Sequence, residues 1–227
     1  MRWALAIDTS LAEGGLAVGP ESPTQPPLSG TAWDASVSHD ARLAADFQML
    51  ILQHGLVLND LVEISIVVGP GRFTGLRVGI AFAKALAWST GCSIRTILGD
   101  EIWAASTIGE VGSRARYIED GQSGMIFSSS WLWRNHRWER EREMALLPIK
   151  EALANASDLA NPGTLRWGTG WSLALPPNSK EAPVPRPKPG DWFAARHLLG
   201  QTKDWKSLEP LYFRRVAAEE KRDSRSV

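Results

Sequence analysis

The chain has 227 residues, which is enough for one large domain or two small ones. Lysine plus arginine and aspartate plus glutamate each total 25, so the net charge is zero; this argues against a mainly electrostatic grip on nucleic acid, though not against RNA bound within an assembly. The single cysteine, Cys92, excludes an internal disulfide and fits a reducing compartment, and no apolar run approaches membrane-spanning length, so a cytoplasmic protein with no membrane partner is expected.

The first predicted strand, residues 3–7, is too short an apolar run for a secretory segment and ends at Asp8-Thr9-Ser10. Gly14-Gly15 predicts a turn, after which residues 16–19 return as a second strand. Pro20, Pro23, Pro26 and Pro27 mark residues 20–30 as a loop. A weaker third strand is expected over residues 31–37. Residues 40–54 have helical spacing, with Leu43, Phe47, Leu50, Ile51 and His54 on one side, Asp40 at the start and Gly55 as the stop.

The chain is organised around the next stretch. Residues 64–68 form a near-continuous apolar run, as suits a strand covered on both faces. Gly69-Pro70-Gly71 stops that strand, and helical spacing begins at about Phe73. Over residues 73–88, Gly75, Gly79, Ala83 and Ala87 recur every four residues as one smooth row, flanked by Phe73, Leu76 and Ile80 on one edge and by Val78, Phe82 and Leu86 on the other. A helix this widely apolar is expected to be covered on more than one side.

Residues 93–97 predict a further strand, and a lobe boundary is expected near residue 98. Beyond it the sequence predicts a helix over 102–108, strands over 115–119 and 124–133, a hairpin tip at Asn135-His136, and a charged edge strand over 139–143. A helix over 147–156, a strand over 164–167, a proline-rich loop over 176–190 and a helix over 191–199 follow. The chain ends in an aromatic-basic segment, residues 208–215, and a charged tail. Strands alternating with helices predict an α/β fold with a mixed or parallel sheet. The eleven tryptophans are scattered, which points to core and interface packing rather than one aromatic platform.

Four segments resemble the bacterial TsaB family in order and spacing: Ala6-Ile7-Asp8-Thr9-Ser10, Gly69-Pro70-Gly71-Arg72-Phe73-Thr74-Gly75-Leu76-Arg77, Gly168-Thr169-Gly170-Trp171 and Glu209-Pro210-Leu211-Tyr212-Phe213-Arg214. The second is long and specific; the others support it. The resemblance implies an actin-like ATPase (ASKHA) fold with two related lobes, residues 1–98 and the smaller 99–215, followed by the tail 216–227. It implies a role in making threonylcarbamoyladenosine in tRNA, as a non-catalytic subunit paired with its paralogue TsaD and joined by the ATPase TsaE. By the same resemblance the isolated chain is a homodimer, tRNA is met through the complex, and ATP and a divalent metal belong to the partner subunits, with no cofactor assigned to this chain. The family usually has Ser where this chain has Arg72, and the Arg and Glu common in its second-lobe segment are here Gln122 and Met125.

Two chemistries compete for the same residues. A glycine-rich turn before a helix can hold phosphate, which makes Asp8, Thr9, Gly71, Arg72 and Thr74 the candidate phosphate-binding set of an actin-like ATPase or phosphotransferase. No Gly-Lys-Ser/Thr follows, so this is not a Walker motif. His39, His54, His136 and His197 lack the spacing of a helical metal pair, which disfavours a metallopeptidase, and neither Cys92 nor any serine has a nucleophile signature, so no catalytic or metal residue is assigned. The alternative is a partner surface on the two N-terminal-lobe helices, for which Leu43, Phe47, Leu50, Phe73, Leu76, Gly79, Ala83 and Leu86 are the candidates.

Overall fold

The structure, a computed structural model, describes residues 1–22, 25–36, 38–154, 163–174 and 184–211. In chain order it opens with strands β1 (Trp3–Asp8), β2 (Gly14–Pro20) and β3 (Ser29–Trp33), then helix α1 (His39–His54), β4 (Leu61–Gly69), α2 (Phe73–Thr90), β5 (Ser93–Leu98) and α3 (Gly99–Ser106). The second half contains β6 (Arg114–Asp120), β7 (Met125–Arg134), β8 (Arg137–Pro148), α4 (Ile149–Ala154), β9 (Leu165–Trp167), α5 (Trp171–Ala174), α6 (Pro189–Trp192) and β10 (Gln201–Lys203). Among the described residues no helix is long and apolar enough to cross a membrane.

Two mixed sheets carry these elements, ordered β10-β5-β4-β1-β2-β3 and β8-β7-β6-β9. In the first, β1 lies parallel to β4 and β4 parallel to β5, while β2 runs antiparallel to β1. In the second, β6 lies parallel to β9 and antiparallel to β7. Every residue of β1 is buried, and the strand's alternation divides the core. Trp3, Leu5 and Ile7 join one cluster with Leu43, Phe47 and Leu50 of α1 and with Ile80, Ala83 and Leu86 of α2. Ala4 and Ala6 face the other way, into a cluster with Trp103, Tyr117, Trp131, Trp138 and Trp167, where their small side chains let the second sheet approach closely. Trp138 stacks edge-on to Trp167 at 4.8 Å, and each indole brings a large apolar area to this interior.

Several elements differ from the sequence reading, each for a local reason. Gly14-Gly15 begins β2 rather than forming a turn, because β3 crosses so closely that a methyl on Gly15 would overlap the Thr31 carbonyl. The third strand spans Ser29–Trp33, whereas Val37 lies outside the described residues. Pro148 closes β8 instead of sitting in a helical first turn, and the helix expected over 191–199 is the short α6 followed by a 3-10 turn, Phe193–Leu198. The exposed strand β10 pairs antiparallel with β5, so the first sheet takes an edge from beyond residue 98. The hairpin tip is as expected: Asn135 and His136 both have φ near +55°, at 51° and 60°, as a two-residue type I′ turn requires. The end of the C-terminal segment from residue 212 and the tail 216–227 lie outside the described residues; before them, Leu208 is fully buried and Leu211 N donates to Val68 O at 2.9 Å.

Candidate functional site

The carboxyl ends of parallel strands are where α/β sheets place ligand crevices, and both sheets point such ends at one cleft of about 410 Å³. From the first sheet come Gly71 and Arg72, just beyond β4; from the second come Glu119 and Asp120 at the end of β6 and Thr169-Gly170 beyond β9. Gln122, at the β6–β7 hairpin with φ of 62°, lines both this cleft and a neighbouring concavity of about 650 Å³. That second concavity runs to the N-termini of α1 and α2, where it meets His39, Phe73 and Thr74.

The candidate phosphate set is split by the fold. Asp8, Thr9 and Ser10 are buried, at 1%, 0% and 0% exposure, because the turn they form is pressed against the start of α2. Gly71, Gly75 and Gly79 make that approach possible: a methyl on any of them would overlap Ser10 or Thr9. Arg72 N, a donor that an anion at this helix end would use, instead donates to Ser10 O at 2.6 Å. Gly71 and Arg72 remain at the cleft, and Thr74 lines the second concavity.

Asp8 is the end of β1, and its carboxylate is fully engaged by the chain itself. Oδ1 accepts from Ser10 N at 3.0 Å and from Ser10 Oγ at 2.7 Å. Oδ2 accepts from Arg186 Nη2 at 2.5 Å, and the same nitrogen donates to Ser10 Oγ at 2.8 Å. The Arg186 side chain is 6% exposed. Burial works to lower its pKa, but the facing Asp8 carboxylate, with Tyr117 and Glu119 behind it, outweighs that and holds the guanidinium charged. The phenol of Tyr117 is pushed well above its ordinary value by burial first and then by Glu119. Glu119 itself accepts from Thr169 N at 3.2 Å and from the Thr169 hydroxyl, which ties the Gly168-Thr169-Gly170 motif to β6. Among the described residues, no group of three or more His, Cys, Asp and Glu side chains is placed to hold a metal ion.

Arg186 is the residue of this site that sequence reasoning missed. It lies inside the segment read as an irregular loop, yet it stands in the run Val184-Pro185-Arg186-Pro187, where flanking prolines favour an extended backbone and a single cation is fixed in place. That pattern was a usable signal; its partner, 178 residues away, was not.

The helical surface also needs correction. Of the eight candidate partner residues, only Phe73 is exposed, at 43%. Leu43, Phe47, Leu50, Leu76, Gly79, Ala83 and Leu86 are buried within the chain's own core. The smooth row Gly75-Gly79-Ala83-Ala87 faces Thr9 and the first sheet, not a second chain. The exposed row lies about half a turn round the helix: Phe73, Arg77, Ala81, Ala85 and then Trp88, which is 73% exposed. On α1 the same spacing exposes Ala41, Ala45, Met49 (46%) and Leu52 (73%). Both N-termini border the second concavity and Phe47 packs edge-on against Phe82 at 5.2 Å, so the helices run side by side in one direction, joined through their inner faces. Met49, Leu52 and Trp88 all lie in the C-terminal halves of their helices, away from the second concavity.

Comparisons with known proteins bear on this arrangement. A family model described as "TsaD: tRNA N6-adenosine threonylcarbamoyltransferase" matches residues 33–101, the part holding α1, β4, α2 and β5. The tRNA threonylcarbamoyladenosine biosynthesis protein TsaB of Bacillus subtilis (strain 168) is 28% identical over 131 residues, 58% of this chain and 56% of the Bacillus protein, so the match spans little more than half of that relative. The protein of the same name from Buchnera aphidicola subsp. Schizaphis graminum (strain Sg) is 23% identical over 77% of this chain and 82% of its own length. Among solved structures, a Pseudomonas aeruginosa protein described as similar to peptidase YeaZ superposes over 94% of this chain and all of its own, with a TM-score of 0.76 at 22% identity.

Proposed function

We propose that this chain, which belongs to the TsaB family, acts in tRNA threonylcarbamoyladenosine biosynthesis as a pairing subunit and not as the catalyst. It has an actin-like α/β fold of two helix-covered mixed sheets. The observation that carries the pairing role is a pair of exposed stripes, one on α1 and one on α2. Large apolar side chains at 46% (Met49), 73% (Leu52) and 73% (Trp88) exposure stand on two neighbouring helices whose inner faces already hold the core. A surface of this kind resembles one half of a divided core. The occupant proposed is the TsaD paralogue, with a second copy of this chain taking the same face in its absence. The ATPase TsaE would join the pair, tRNA would be met through the complex, and ATP and a divalent metal would be held by the partner subunits. The Asp8–Arg186 pair supports the non-catalytic half of the reading, because a carboxylate already neutralised by a buried guanidinium is not available to organise a metal-bound water.

The test is to mix the purified chain with the TsaD paralogue of the same organism and follow assembly by size-exclusion chromatography with light scattering. A complex is expected, and Leu52→Asp should abolish it while leaving the monomer's melting temperature unchanged. Assembly that Leu52→Asp does not weaken removes this face from the account. A second reading, an ATPase using the cleft, has Gly71 and Arg72 at the head of α2 in its favour. Calorimetry with ATP and magnesium separates the two: tight binding to the isolated chain supports the ATPase.

A further inference from the structure

We infer that the segment around Arg186 is a clasp that holds the two sheets closed across the cleft. One end is fastened to the second sheet: Val184 N donates to Arg166 O on β9 at 2.8 Å, and Trp103 Nε1 on α3 donates to Val184 O at 3.5 Å. The middle crosses to the first sheet, where Arg186 Nη2 reaches Asp8 Oδ2 at 2.5 Å and Ser10 Oγ at 2.8 Å. Its guanidinium lies 5.5 Å from the centre of the Trp103 ring, which belongs to the cluster packed between the two sheets. The other end returns to the first sheet in α6, whose Trp192 is fully buried. Both charges of the pair are withdrawn from solvent, at 6% and 1% exposure, so salt does not screen it. The tryptophan-rich cluster behind the cleft supplies the fixed base. At the mouth, the clasp supplies the counter-charge that keeps the ends of β1 and β9 together.

The test compares hydrogen exchange in wild type, Arg186→Met and the double variant Asp8→Asn/Arg186→Met. Arg186→Met should raise exchange at both lips of the cleft, residues 9–13 and 169–173, by about tenfold or more while β4 keeps its protection. The double variant removes the stranded buried carboxylate and should recover the wild-type melting temperature, yet its lips should stay fast, because the bridge between sheets is still missing. This separates a clasp from a locally compensated charge. Wild-type exchange at the lips in the double variant overturns the inference, as does a change confined to residues 184–188. Failure of the double variant to fold also overturns it, since a clasp at the mouth is not required by the core behind it.

Discussion

Two substitutions on the same helix, Gly79→Leu and Trp88→Asp, should have opposite consequences. A side chain at Gly79 would place its first carbon 2.2 Å from Thr9 Oγ1 and 3.3 Å from Thr9 Cβ. Thr9 is fully buried and sits in the turn that carries Asp8, so it has nowhere to yield. Overpacking of this kind costs about 1–3 kcal/mol, and at about 2–4 °C per kcal/mol for a chain of this size the melting temperature should fall by roughly 2–12 °C. Trp88 is 73% exposed, so its replacement should change monomer stability by no more than about 0.5 kcal/mol. Pairing is a different matter. Burying that exposed part of the indole removes roughly 150 Å² of apolar surface from water, an upper limit of roughly 4 kcal/mol at about 25 cal/mol per Å². A central aromatic anchor typically carries at least about 2 kcal/mol, which is about thirtyfold in Kd. Thermal melting of each variant and titration against the TsaD paralogue give the two readings. Gly79→Leu should melt early, and Trp88→Asp should melt normally and bind at least about thirtyfold more weakly. A normally melting Gly79→Leu that fails to pair, beside a Trp88→Asp that pairs as wild type, refutes the assignment of inner and outer faces.

Three further outcomes are expected. Burial raises the Asp100 carboxyl above its ordinary value of 3.8, although Arg140 opposes this, so the folded chain holds that proton more tightly than the unfolded chain. Its stabilising contribution is complete below the unfolded value and lost as pH rises through the folded one, so the melting temperature of wild type relative to Asp100→Asn should rise from about pH 7 to about pH 4, and the opposite slope contradicts the assignment. Leu208→Ala, at a fully buried position in the first-sheet cluster, should lower unfolding free energy by about 2–4 kcal/mol in denaturant titration; a loss near zero would mean that the C-terminal segment is not part of that core. Gly168 has φ of 92° and its missing side chain faces Ile118 O, so Gly168→Ala should cost at least about 1–3 kcal/mol, read as a lower denaturant midpoint with unchanged slope.

What the sequence disclosed depends on distance along the chain. The strand β4, the Gly69-Pro70-Gly71 turn and the start of α2 were legible because an apolar run, a breaker and a change of period are adjacent signals. The faces of α2 were not. The rows Gly75-Gly79-Ala83-Ala87 and Phe73-Arg77-Ala81-Ala85 have the same spacing, and only the arrival of the turn at Thr9 decides which one is inside. The cleft was half legible: Gly71, Arg72 and the Gly168-Thr169-Gly170 motif stood out, whereas Asp8 was legible as a residue but not in its state, because its counter-ion is remote. Strand β10 escaped notice because it has three exposed residues and no alternation of its own.

The central claim is that this chain is needed for tRNA threonylcarbamoyladenosine formation through its helical face and without catalysis of its own. Its most direct test is reconstitution of the modification on unmodified tRNA with the TsaD paralogue and TsaE, measured with no added chain, with wild type and with Trp88→Asp. The account predicts product only with wild type, a loss with Trp88→Asp that follows its loss of pairing, and none from this chain alone. Equal modification without the chain, or product formed by the chain in isolation, would contradict it.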